Sequence, residues 1–263
     1  VGLWMAGWSA DRSSMLLSAP LVAAVCGFLR APPLLAGWPL APVSRSSSAP
    51  VSVLGSEPSG DDSLALQTTG HPVKVMVFVD GSWLYYSFHG RRPNCPVTSA
   101  YGKGWEYGHS FDYDRLPQLI SQQLQDELLR RHRTSRFVEI VRTVVFSSAR
   151  ADTHHRSTRM RMFRQMEEAN FEVHMSVTTG IHEKCIDISL AVEMMHYASV
   201  EGAYDIAVLV SGDKDFMPAL SRIRQKGKRV AICSMRNCCA RDLLDKRANV
   251  RDFDPVWLDD HLD

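Results

Sequence analysis

A chain of 263 residues can hold one large domain or two small ones. Its 30 Lys and Arg nearly cancel its 29 Asp and Glu, so a formal charge of +1 gives no overall pull on nucleic acid and leaves only local clusters to do so. An apolar share of 45% with 22% charged residues excludes a wholly disordered chain, and no apolar run is long enough to span a bilayer, so no membrane partner is expected.

Residues 1–56 hold one acid, Asp11, against Arg12, Arg30 and Arg45, and are rich in Ser, Ala, Pro and Leu. That acid-poor, Ser-rich pattern is the composition of an organelle transit peptide, which predicts import into a plastid or mitochondrion; without it the protein would be cytoplasmic. The run MLLSAPLVAAVCGF from Met15 also resembles a secretory apolar region, but no Lys or Arg precedes it when counted from Met15. The chain opens on Val1, which leaves open a partial reading frame or a segment that is not native. SEPSGDD at 56–62 reads as a flexible linker. Residues 1–70 are therefore expected to be a disordered segment ahead of one domain at 71–256, with 257–263 a short tail.

From residue 71 strands and helices alternate. KVMVFVD (74–80) is a β-rich apolar run ending on an acid, and SWLYYSF (82–88) starts a helix. RRPNCPVTSAYGKGWEYGHS (91–110) reads as a Pro- and Gly-bearing loop. Asp112 can cap a helix to about Arg131, with Leu116, Leu119, Ile120, Leu124 and Leu128 at helical spacing. FVEIVRTVVFSSA (137–149) is the second strand, 154–170 a basic helix and FEVHMSV (171–177) the third strand. IDISLAVEMMHYAS (186–199) is a helix, DIAVLVS (205–211) the fourth strand, FMPALSRIRQKG a helix ended by Gly227, and RVAICSM (229–235) the fifth strand. A helix near 238–246 and a strand VRDFD (250–254) close the domain. Repeated β–α units with Val/Ile-rich strands predict an α/β fold, a mostly parallel central sheet with helices on both faces.

In such a sheet ligands sit beyond the carboxyl ends of the strands. Asp80 ends the first strand, Asp213 and Asp215 follow the fourth, and Asp187 enters a helix on the same rim. Each has a plainer use: Asp80 in a turn, Asp187 as an acid favoured by a helix N-terminus, Asp213 or Asp215 as a cap. Together they predict a site for a hard divalent cation, Mg²⁺ or Mn²⁺. The six cysteines form no C-x-x-C pair and read as free thiols.

FVDGSWLYYS (78–87), HEKCIDISLAVEMM (182–195) and VLVSGDKDFMPAL (208–220) resemble, in order and spacing, the NYN domain, LabA-like branch, of the PIN-like nuclease superfamily. The resemblance spans roughly residues 72–256. It implies a Rossmann-like α/β/α sandwich and an acidic cluster that binds divalent metal for cleavage of RNA. Carried residue by residue, the acids are Asp80, Asp187, Asp213 and Asp215, with Ser211 as the small hydroxyl before the pair. Trp83 stands where the family commonly has Asn, and Glu193 where many members have a second helix Asp. Glu193 lies six residues beyond Asp187, about 240° around the helix, a poor position for a shared ligand.

The expected function is metal-dependent endoribonucleolytic hydrolysis of RNA, single-stranded rather than duplex. Arg150, Arg156 and Arg159 are candidate phosphate contacts, as are His182 and Lys184, although a basic run is equally a solvated face. Trp83 is a candidate base-stacking residue. The rival is a non-catalytic RNA-binding or protein-recruiting module on the same fold, in which Lys or Arg would pair with the acids. A homodimer stays open.

Overall fold

The computed structural model describes residues 70–90, 95–133, 136–178 and 185–262. The expected transit segment and linker fall on residues 1–69, outside those described, as do His182 and Lys184.

Six parallel strands form one sheet: β1 (Val73–Asp80), β2 (Val138–Arg150), β3 (Glu172–Thr178), β4 (Ile206–Val210), β5 (Arg229–Ser234) and β6 (Val256–Trp257), in the order 3-2-1-4-5-6. β1 is central and its side chains alternate between two cores. Val73, Val75, Val77 and Val79 enter one core, and Met76 and Phe78 the other. A strand buried on both faces reads as the continuous apolar run seen in the sequence.

The first core is covered by α1 (Gly81–Phe88), α3 (Arg115–His132) and α4 (Thr158–Glu168), which contribute Trp83, Ile120 and Phe163 among others. The second is covered by α5 (Ile186–Ser199), α6 (Met217–Gln225) and the four-residue α7 (Arg241–Leu244), through Leu190, Met194, Leu220 and Leu243. The α/β/α layering is as expected.

Several boundaries differ. The stretch 91–110 contains α2 (Pro96–Tyr101) and a 3-10 turn, Trp105–Tyr107, whose Trp105 packs on Phe88. Asp112 is not the cap of α3, which starts at Arg115. The closing strand is Val256–Trp257; at 250–254 the chain is a loop, because Asp252 is engaged by Arg224 and by the Val230 amide. The expected tail belongs to the domain: Leu258 is buried, and Asp259 and Asp260 hold Arg236.

Candidate active site

The order 3-2-1-4-5-6 reverses direction between β1 and β4, the switch point beyond whose carboxyl ends a sheet of this kind binds its ligands. The residues that follow these two strands build the site. Asp80 continues the Met76–Phe78 side of β1 by alternation and so faces the layer of α5. It is only 3% exposed. One oxygen, Oδ1, accepts the Trp83 amide at 2.9 Å and caps α1; Oδ2 accepts the Ser211 hydroxyl at 3.0 Å. Ser211 in turn accepts the Asp213 amide at 3.1 Å, and Asp213 Oδ1 accepts the Asp215 amide at 3.0 Å. The cap expected of Asp213 is thus real, and Asp80, expected in a turn, also acts as a cap. These caps do not exclude a second use, because each carboxylate oxygen has two lone pairs.

Burial pushes the Asp80 carboxyl up to about 6, and the neighbouring charges of Asp187 and Asp213 push the same way, against the Trp83 and Ser211 hydrogen bonds. Asp187 and Asp213, from two distant segments, therefore both act on Asp80. Asp215 stands exposed in the 3-10 turn Lys214–Phe216 and is tied to this group through its backbone. Lys214 reaches Asp242 at 4.0 Å.

Two glycines set the spacing. A Cβ on Gly81 would stand 2.8 Å from Phe163 Cε1 and 3.0 Å from the Phe146 carbonyl oxygen, so only glycine lets α1 start this close to β2. A Cβ on Gly212 would lie 2.0 Å from the Cys238 carbonyl oxygen. That same oxygen accepts the Trp83 indole N–H at 3.1 Å, and the Ala240 amide donates to the Gly212 carbonyl at 2.8 Å. Trp83 and Gly212 thereby lock the 238–240 segment in place.

Trp83, at 2% exposure, is a core residue and presents no ring to a base; the stacking expectation is corrected. Its indole N–H finds a carbonyl 155 residues away, which local sequence cannot show. The three arginines also separate. Arg150 pairs with Asp152 at 2.9 Å on the surface, and Arg156 is exposed on the turn before α4. Arg159 instead lies over the first turn of α1: it donates to Ser82 at 3.0 Å, Ser147 at 3.2 Å and Tyr86 at 3.0 Å. Ser82 carries no signal of this role in sequence, since it reads as an ordinary helix residue.

Among the described residues, no three of His, Cys, Asp and Glu close a metal cage on their own. The donors nevertheless suit a hard ion. Mg²⁺ demands oxygen ligands, keeps several waters, and is held by one or two carboxylates together with substrate phosphates rather than by an all-protein cage. A buried carboxylate whose ionisation is opposed by two others is a site that a divalent cation would relieve.

No curated protein matches this chain. Among solved structures it is similar to a Vibrio parahaemolyticus protein of unknown function, with 20% identity over 73% of this chain and 96% of that one, at a TM-score of 0.47. The family model for the NYN domain matches residues 74–252, from the start of β1 to the loop before β6, and by that match the chain belongs to the NYN domain family.

Proposed function

We propose that the chain is a divalent-metal-dependent endoribonuclease that hydrolyses phosphodiester bonds of single-stranded RNA at the β1–β4 switch point. Members of the NYN family are generally ribonucleases with a PIN-like nuclease fold. The observation that carries the reading is Asp80: buried, held by an amide and a hydroxyl rather than by Lys or Arg, and set against Asp187 and Asp213. A module that only binds would neutralise such an acid with a cation, and the burial of Trp83 removes the base-stacking argument for that rival.

Asp80 and Asp213 would hold Mg²⁺ or Mn²⁺, with Asp187 and Asp215 reaching it directly or through water. The ion would supply Lewis-acid stabilisation of the developing charge and a water of lowered pKa. The protein's own part is positional. Ser211 orients Asp80 Oδ2 and fixes the Asp213 backbone in the same step. The Asp215 amide turns Asp213 Oδ1 toward the turn. Arg159, braced by three hydroxyls, one of them on Ser82 just past Gly81, offers a guanidinium to a phosphate that the carboxylates would otherwise repel. In-line attack by water leaves a 5′-phosphate and a 3′-hydroxyl. Import into a plastid or mitochondrion by residues 1–70 is part of the same proposal, and a reporter fused to that segment tests it: a cytosolic signal sinks it.

The deciding experiment is RNA cleavage by the full chain with Mn²⁺, with and without chelator, beside Asp213→Asn. Wild type should cut only with the ion and should melt higher when it is present. The Asn variant should not cut and should gain no stability from Mn²⁺. An ion that leaves the wild-type melt unmoved, or a variant that still cuts, overturns the proposal.

A further inference from the structure

The two edges of the sheet are unlike. β6 is two residues long, whereas β3 offers seven, and those seven pair with β2 one to one from Val144 to Arg150 without a break in register. An edge strand is normally blunted by shortness, by Lys or Pro, or by a bulge, because its outward amides and carbonyls otherwise form a template for another strand. EVHMSVT contains no Lys, no Arg and no Pro. Its single acid, Glu172, is already bound to Arg142. Among the described residues no strand lies beyond β3.

We propose that the β3 edge is where two copies of this chain join, strand to antiparallel strand, into one continuous sheet. The inference is independent of the nuclease reading. What favours a second copy is that the strand matches itself. With the two-fold axis at Met175, the whole strand pairs: Val173 opposite Val177 of the second copy, His174 opposite Ser176, and Glu172 opposite Thr178. Val173, Met175 and Val177 share one face by alternation. Val173 and Met175 pack on the core beneath α4, while Val177 is left 69% exposed. The two-fold lays each exposed Val177 against a Val173 that is already half-buried, and does so twice, as an isologous interface requires. The two Glu172 carboxylates go to opposite ends of the paired strands, about 20 Å apart at about 3.3 Å per residue, so like charges do not meet. Because the pairing is antiparallel, the two acidic rims lie on opposite edges of the joined sheet and work separately.

The test uses the full chain in analytical ultracentrifugation, with cross-linking by oxidised glutathione as a second measurement. Wild type should sediment at twice its mass of 29.5 kDa. Val177→Lys should weaken the dimer about tenfold or more, since it sets an ammonium against Val173, and should leave the circular dichroism of the fold unchanged. The Met175→Cys chain should cross-link to itself well beyond wild type. Val177→Cys should cross-link when mixed with Val173→Cys and only weakly alone. A single-chain mass at every concentration overturns the proposal, as does a dimer indifferent to Val177→Lys or cross-linking without regard to position.

Discussion

Asp80 lies at the sealed end of β1 with both oxygens engaged, whereas Asp187 and Asp215 stand exposed on the first turns after their loops. Asp213 is intermediate, half-buried and tied to both groups. One side of this acidic group is therefore fixed by packing and the other is open to water. A rigid anchor costs desolvation of its charge, while exposed acids can keep a hydration shell and move with a ligand. A site divided in this way can set the position of an ion with one residue and leave the remaining ligand places to solvent and substrate.

The comparison breaks most readily at Gly212. Placing a methyl 2.0 Å from the Cys238 carbonyl oxygen forces backbone apart, so Gly212→Ala should cost about 3 kcal/mol in a urea titration. A loss below about 1 kcal/mol would mean the 238–240 segment yields easily and the anchor is soft.

Next comes the charge of Asp80 itself. Its carboxyl is raised from 3.8 to about 6, so between those values the folded chain keeps a proton that the unfolded chain has lost. Stability from this group is greatest at low pH, falls as pH rises through that window, and the full penalty stands above about pH 6. Asp80→Asn should remove cleavage, flatten the pH dependence between about 4 and 6, and stabilise the metal-free protein at about pH 7 by about 2 kcal/mol. An Asn variant less stable than wild type at neutral pH would show that the charge is favourable where it sits.

Ser211→Ala sharpens the same point on a smaller scale. It removes the donor to Asp80 and the acceptor of the Asp213 amide together, for about 1–2 kcal/mol. Because a hydrogen bond to the ionised form is lost, the Asp80 titration should move further up, as NMR of the carboxyl carbon would record. Asp215→Asn, on the open side, should change stability by less than about 0.5 kcal/mol while still slowing metal-dependent cleavage.

The smallest effects concern the arginines. Each phosphate contact to single-stranded nucleic acid contributes about 0.7 to the log–log salt slope. Arg159→Ala should lower that slope, whereas Arg150→Ala, already paired with Asp152, should leave it alone. Equal effects from the two would return the whole run to a solvated face.

The layering and the acids are legible in the sequence because both follow from short-range pattern. Val-rich strands ending on an acid mark their own carboxyl ends, and Asp80 and Asp213 can be placed on one rim without knowing the strand order. Trp83 is not legible, because its fate depends on the Cys238 carbonyl, nor is the bracing of Arg159, whose anchors Ser82 and Ser147 come from α1 and β2. The helix inside 91–110 is hidden by Pro and Gly, although Pro96 sits at the first turn, where proline is tolerated. The two-residue β6 is too short for any periodicity to announce it.

The central place of β1 also has a consequence for how the chain is made. β1 is finished well before one of its two neighbours, since β4 ends only at Val210, well over a hundred residues later. At roughly 5–20 residues per second, the apolar flank of β1 waits several seconds to tens of seconds for that neighbour on the ribosome. During this interval the strand is a sticky surface, and long-range parallel pairing is slow to form in any case. Nascent chains halted before β4 should therefore be protease-sensitive and chaperone-bound, and those that have released β4 and β5 should be neither.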